Sequence, residues 1–312
     1  MSKAALVTGA DGFVGRRLCT RLRAAGWTVH QADRQGRDDT HACDVTDRAA
    51  LEVLLEALPD LTHVFHLAAM TFVPAASAHP VQAMLVNYGG SLNLAQALLA
   101  RGRPVRLVFI GSADAYGPPE YLPIDEAHPL RPVNPYAISK AAADQALDWL
   151  HRAHGLDVVR MRPFNHAGPT QEGDFVLASF ARQVAAIATG AAEEPVVRTG
   201  NLDAARDFSH VDDVIEAYLL AAEHGAAGMV YNVCSGAAQR VGDALDRLIE
   251  FSGCAIRVER DPARYRPVDV PEVRGSHARL SEATGWEPQR SFDTLLKELF
   301  DAWRARLEAG QA

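Results

Sequence analysis

Tyr136-Ala137-Ile138-Ser139-Lys140 opens a predicted helix, and its four-residue spacing sets a phenol and an ammonium on one face, one turn apart. A neighbouring ammonium favours the phenolate and lowers a tyrosine pKa that starts near ~10, so Tyr136 is expected to exchange a proton near neutral pH. Ser112 ends the apolar run 105–111. Its hydroxyl could hold a substrate oxygen while that proton moves. By itself a Tyr–Lys pair is an ordinary surface pair, and it gains meaning only beside an electron carrier. The chain offers a cradle for one. Gly9, Gly12 and Gly15 form a G-x-x-G-x-x-G run, with Asp11, Phe13 and Val14 between them. Glycine suits a tight turn, close backbone approach to a pyrophosphate and close packing of helix on strand. The helix start adds free N–H groups and a positive dipole end. Asp33 follows at roughly the 20-residue distance at which a carboxylate meets the adenosine ribose hydroxyls. That carboxylate repels a 2′-phosphate and argues for NAD. Arg34 and Arg37 could offset it, which keeps NADP as the other candidate.

These groups need elements to position them. Strand-like runs at 3–8, 28–33, 42–45, 63–68, 105–111 and 156–162 alternate with helical patterns at 12–26, 47–58, 80–100 and 134–154. Alternation of that kind predicts an α/β fold, a Rossmann-type doubly wound parallel sheet covered on both faces. After residue 165 the apolar runs shorten and Pro and Arg become commoner, with two late helices at 241–252 and 292–307. This predicts a smaller C-terminal α/β lobe against the carboxyl ends of the strands. The expected division is a dinucleotide-binding domain at 1–165, with a return segment near 206–236, and a substrate lobe at 166–205 and 237–312.

Composition narrows the function classes. In 312 residues, 48% hydrophobic and 22% charged is ordinary globular usage, so disorder is not expected. The net charge of −8, with no Lys/Arg block, speaks against a nucleic-acid partner. An anionic substrate would need local arginines working against the overall field. The four cysteines are scattered, with no C-x-x-C and no H-x-x-x-H pattern, so neither a disulfide framework nor a metal site is expected. The opening MSKAALVTGADG does not read as a signal peptide, and no run approaches the ~18 apolar residues of a membrane span. A cytoplasmic protein with reduced thiols is the expectation.

Thr8-Gly9-Ala10-Asp11-Gly12-Phe13-Val14-Gly15, His66-Leu67-Ala68-Ala69, Ser112 with Tyr116-Gly117, and Asn134-Pro135-Tyr136 to Lys140 together resemble the extended short-chain dehydrogenase/reductases, the NAD-dependent epimerase/dehydratase family. The likeness runs along nearly the whole chain. It implies a catalytic Ser112, Tyr136 and Lys140 and a dinucleotide held by Gly9 to Gly15, Asp33, Arg34, Leu67, Ala68, Ala69 and Pro163. It also implies Asp44 and Val45 near the adenine, Asn87 on the helix supporting the site, and a homodimer through the helices at 80–100 and 134–154. In the second half, Arg162-Pro163-Phe164-Asn165-His166 to Gln171, Phe175-Val176, Gly200 to Phe208, Arg264 to Pro271 and Thr284 to Pro288 resemble the branch that reduces GDP-4-dehydro-6-deoxy-D-mannose. That branch implies a nucleotide-sugar substrate. Asn165, Arg206 and Arg266 would lie at the diphosphate, Leu202 in the base pocket and Val176 beside the ligand. Arginine's planar fork suits phosphate oxygens. Gly275-Ser276-His277-Ala278-Arg279-Leu280 departs from the family's G-D-x-x-K-L and loosens the assignment of sugar and base.

Three reactions suit such a site. A 4,6-dehydratase needs a base for the C5 proton and usually a further acid. Here Ala113 and Asp114 follow Ser112; Ala113 carries no proton, and Asp114 is one methylene shorter than the glutamate of such enzymes. A reductase needs hydride at C4 and a proton from Tyr136, and is favoured. C4 epimerisation ranks third, and a non-catalytic dinucleotide sensor is the distant fourth reading.

Overall fold

The computed structural model describes residues 3–173, 175–264 and 270–310. The chain starts with β1 (Ala4–Thr8), α1 (Phe13–Ala24), β2 (Thr28–Asp33), β3 (Thr40–Ala42), α2 (Arg48–Glu56) and β4 (His63–His66). α3 (Val73–Ala78) and α4 (Pro80–Ala83) follow, then a π-helical turn (Met84–Gly89) that runs into α5 (Gly90–Ala100). β5 (Arg106–Ile110), a 3-10 turn (Ala113–Tyr116), α6 (Pro135–His154) and β6 (Val158–Pro163) complete the first half. The second half holds β7 (Asn165–Ala167), α7 (Val176–Ala188), β8 (Val196–Thr199), β9 (Ala205–His210), α8 (Val211–His224) and β10 (Val230–Val233). It ends with β11 (Ala238–Arg240), α9 (Val241–Ser252), β12 (Arg257–Arg260), β13 (Glu272–Val273), α10 (Ala278–Thr284) and α11 (Phe292–Glu308).

Seven strands pair in parallel in the order β10-β6-β5-β4-β1-β2-β3. All five residues of β1 and all six of β6 are buried, the mark of strands covered on both faces. One face packs Leu18 and Leu22 of α1 with Val214 and Tyr218 of α8, and the other packs Leu51 of α2, Leu94 of α5 and Leu147 of α6. The chain order reverses between β1 and β4, so the crevice at their carboxyl ends is the topological switch point where ligands bind in such sheets. A second group is built around β9, with β7 and β13 parallel to it and β11 antiparallel. α7, α9 and α11 close their own apolar core beside it.

Two expected elements differ in detail. The strand expected at 42–45 lies at Thr40–Ala42 instead, because the Asp44 carboxylate accepts from both the amide and the hydroxyl of Thr46 and turns the backbone away. The helix expected at 80–100 is interrupted by the π-helical turn, which carries Asn87 inward, fully buried.

α6 begins where its residues require. Pro135 takes the first helical position, Asn134 accepts from the Ala137 amide at 2.9 Å, and Gly155 ends the helix at φ 70°. Asp144 in its middle faces two arginines of β6: Arg160 at 2.8 Å and Arg162 at 2.9 Å through both Nε and Nη2. Arg162 also donates to the Tyr116 hydroxyl at 3.0 Å, which donates to Asn232 of β10 at 2.7 Å. All five residues are buried. Removing one partner leaves a charge buried and uncompensated, so Asp144→Ala is expected to cost about 3–5 kcal/mol in urea denaturation. A loss below about 1 kcal/mol would mean that the cluster behaves like an exposed ion pair.

Candidate active site

The glycine run sits between β1 and α1 as a backbone-to-backbone contact. A Cβ on Gly9 (φ 72°) would lie 2.7 Å from the Ala68 amide nitrogen, and one on Gly15 would lie 2.2 Å from the Gly9 carbonyl oxygen. Gly9, Leu67 and Ala68 are thereby brought together at the switch point. Gly12 is different. It caps α1 with no side-chain hydrogen bond, and a Cβ there would meet only the Gly9 oxygen, at 3.2 Å. Its position leaves the first-turn N–H groups facing outward, the arrangement that a pyrophosphate needs. The residues present therefore fit a dinucleotide. Asp33, at the end of β2, uses one oxygen on the Asp11 amide at 3.2 Å and the other on the Arg34 amide at 2.7 Å, and lone pairs remain on both. The Asp11 carboxylate accepts from Thr40 at 3.2 Å. Arg34 and Arg37 are exposed on the following loop. Val45 is buried against Gly90, and its carbonyl accepts from Asn93 at 3.2 Å.

Ser112, Tyr136 and Lys140 lie one strand over. Ser112 follows β5 and caps the 3-10 turn by accepting from the Asp114 amide at 3.1 Å, which leaves the hydroxyl hydrogen free to donate. Tyr136, in the first turn of α6, is partly buried, and Lys140 one turn later is buried. Lys140 Nζ donates to the Ile110 carbonyl at 2.7 Å. Burial pushes the Lys140 ammonium down to about 7. The tyrosine differs from expectation. Its pKa is raised, first by burial and then by the Asp114 carboxylate, while a hydrogen bond with Ser112 works the other way. Four-residue spacing carries no information on the desolvation of the phenol, which sets the direction here, and burial also lowers the Lys140 ammonium. The resting Tyr136 is a neutral acid. Asn87 holds the far side of this helix start: its amide accepts from the Met70 amide at 2.7 Å and donates to Ser139 at 2.9 Å.

The expected substrate residues are placed as follows. Asn165 and Val176 are exposed, the first in β7 and the second at the start of α7. Leu202 packs at the edge of the second core. Arg206, in β9, donates to the carbonyls of Ala205 at 2.8 Å and Val270 at 2.7 Å. Arg266 lies outside the described residues. Pro163 ends β6 beside Val233. Spacing did not single out Asp207. It is buried next to Arg206 and accepts from Ser235 (2.7 Å to its amide, 2.6 Å to its hydroxyl), the Gly236 amide at 3.0 Å and the Gly275 amide at 3.1 Å. An acid inside the run Arg206-Asp207-Phe208 was the available signal. The departing segment at 275–280 docks through Ser276, whose amide donates to the Ile124 carbonyl at 2.8 Å, and through Arg279, 3.5 Å from the buried Glu126.

A model of the NAD dependent epimerase/dehydratase family matches residues 5–234. The chain belongs to that family. It is 39% identical to a GDP-6-deoxy-D-mannose reductase of Pseudomonas aeruginosa over 98% of this chain and 99% of the relative. The solved structure of RMD from Pseudomonas aeruginosa, complexed with NADPH, superposes with a TM-score of 0.89 at 38% identity, over 98% of this chain and 100% of the other. A UDP-glucose 4-epimerase from Thermotoga maritima, solved with UDP-glucose, gives a TM-score of 0.88 at 27% identity, over 97% and 99% of the two chains.

The glycines separate folding from binding. Gly12→Ala is expected to fold with a loss of about 1 kcal/mol or less, since alanine is only a poorer cap, yet to weaken dinucleotide binding by standing in the cradle. Gly15→Ala forces β1 and α1 apart and should lower both melting temperature and affinity. Thermal unfolding with fluorescence titration of the dinucleotide checks this. Unchanged affinity in folded Gly12→Ala would place the pyrophosphate elsewhere.

Proposed function

We propose that this protein reduces the C4 keto group of a nucleotide-activated 6-deoxy sugar, GDP-4-dehydro-6-deoxy-D-mannose, to a GDP-6-deoxyhexose such as GDP-D-rhamnose. The end-to-end likeness to the Pseudomonas aeruginosa reductase carries this reading. NAD or NADP would be held by Gly9, Asp11, Gly12, Phe13, Val14 and Gly15 at the pyrophosphate, Asp33 and Arg34 at the ribose, and Asp44 and Val45 at the adenine. Leu67, Ala68, Ala69, Tyr136, Lys140 and Pro163 would complete its site. When bound in reduced form, the nicotinamide supplies the hydride. Ser112 offers its hydroxyl hydrogen to the sugar C4 oxygen and orients it. Tyr136, neutral because burial raises its pKa, has the right form to give its proton to that oxygen as negative charge develops. The Lys140 amine, held near 7, takes up positive charge more readily once a phenolate stands beside it. Ala113 and Asp114 move no proton in this reaction; Asp114 acts through its charge, which helps keep Tyr136 protonated.

In the same reading, 1–165 with 206–236 binds the dinucleotide and 166–205 with 237–312 the sugar nucleotide, with Asn165, Arg206 and Arg266 at the diphosphate and Leu202 and Val176 lining the remainder. The protein works in the cytoplasm. No helix among the described residues is long and apolar enough to cross a membrane. A homodimer would cover Val81 and Leu85, before and in the π-helical turn, and Ile138 and Trp149 of α6, which are between 45% and 71% exposed.

Dehydration is the second reading. The Asp114 charge reaches Tyr136, so this carboxylate belongs to the site. Incubation with GDP-mannose and oxidised cofactor is expected to give no 4-keto product, while the 4-keto sugar with NADH or NADPH is reduced, as read by mass and NMR. Catalytic formation of the 4-keto-6-deoxy sugar from GDP-mannose would reverse the assignment. Tyr136→Phe is expected to lose ~10²–10⁴-fold in kcat with dinucleotide Kd nearly unchanged. Retention of more than about a tenth of the turnover would remove Tyr136 from the proton-transfer role.

A further inference from the structure

His66 is buried at the end of β4, between the dinucleotide cradle and the proton-transfer helix, and takes no part in the chemistry described above. Its Nδ1 lies 2.7 Å from the Thr8 hydroxyl and its Nε2 lies 3.0 Å from the Ser91 hydroxyl. The direction of each bond follows from counting hydrogens. Ser91 donates its only hydroxyl hydrogen to the Asn87 carbonyl at 2.6 Å, so toward His66 it acts as acceptor, and Nε2 carries the proton. Thr8 Oγ1 accepts from the Ala68 amide at 3.4 Å and gives its hydrogen to the unprotonated Nδ1. The result is one chain of bonds with a single sense, from Ala68 through Thr8, His66 and Ser91 to Asn87. Asn87 then holds Met70 and Ser139, and Ser139 donates to the Tyr136 carbonyl at 2.7 Å.

We propose that His66 is a positioning residue: a neutral Nε2–H imidazole whose two nitrogens tie the Gly9–Ala68 contact of the dinucleotide cradle to the π-helical turn that sets Asn87 and the start of the Tyr136 helix. Two features of the surroundings keep the ring neutral. It is fully enclosed, and the Lys140 charge lies close; together they push its pKa down to about 3. A second ring proton, on Nδ1, would also take away the acceptor of the Thr8 hydroxyl hydrogen. The inference rests on the reading that Tyr136 transfers a proton in a dinucleotide-dependent reaction.

The two sides of the ring can be cut separately. An asparagine amide reaches the Nδ1 position and a glutamine amide the Nε2 position. His66→Asn should keep the Thr8 bond and lose the Ser91 bond; His66→Gln should do the reverse. Expected for His66→Asn is dinucleotide Kd within about twofold of wild type and kcat on the 4-keto sugar lowered about three- to tenfold, the scale of one neutral hydrogen bond. Expected for His66→Gln is weaker dinucleotide binding by a similar factor with kcat largely kept. Thr8→Val and Ser91→Ala, milder cuts at the same two bonds, should repeat the His66→Gln and His66→Asn patterns respectively. Nitrogen-15 histidine NMR of the cofactor-free protein should show one slowly exchanging Nε2–H imidazole that stays neutral down to the pH at which the fold is lost. Equal loss of Kd and kcat in both members of either variant pair, an inverted split, or an Nδ1–H or doubly protonated ring at neutral pH would overturn the proposal. If the wild type failed to reduce any 4-keto nucleotide sugar, the functional reading would fall, while dinucleotide Kd and the NMR tautomer would still decide the role of His66.

Discussion

Everything in the candidate site hangs on the approach of three backbones at the middle of the large sheet. β1, the start of α1 and the end of β4 come so close that a methyl group on Gly9 or Gly15 would overlap main-chain atoms. Side chains cannot mediate such a contact, so only glycine satisfies it. Its consequence is geometric. The open end of α1 and the carboxyl ends of β1 and β4 face one crevice, at the place where strand order reverses. Asp33, one strand to one side, and Ser112, two strands to the other, then border the same crevice from different parts of the chain.

Around that contact the polar groups are fixed by burial more than by charge. Asp144 faces Arg160 and Arg162 without solvent, Asp207 is surrounded by four donors, and His66 lies between two hydroxyls. Each is expensive to leave unpaired in a low-dielectric interior. Each also joins segments far apart in sequence. Asp144 and Tyr116 link α6, β6, the turn after Ser112 and β10, while Asp207 links β9 to the loop after β10 and to residue 275. The start of α6 and the strands beside it are therefore held by interior bonds, while Asn165 of β7 and Val176 of α7 are exposed.

Much of this protein is legible in its residues alone. The strands at 28–33 and 63–66 and the helices at 135–154 and 241–252 follow from apolar period, from caps such as Asn134 and from stops such as Gly155, all of which are local. The glycine run and the Tyr136–Lys140 pair are short-range patterns too, and so is their likeness to a family. The tertiary structure decided what depends on distant partners. The helix at 80–100 widened to carry Asn87 inward, where it meets Met70 and Ser139, whereas the shift of the strand expected at 42–45 came from a local turn of Asp44 onto Thr46 that the apolar pattern did not show. The sense of Tyr136's titration turned on the burial of its phenol and on the Asp114 charge, neither of which four-residue spacing encodes. The partners of Asp207, and the direction of every bond around His66, likewise arise only when segments tens of residues apart meet and water is excluded. Local pattern selects elements because their hydrogen bonds and periods are local; protonation state and pairing are set by desolvation and long-range contact, which exist only in the packed chain.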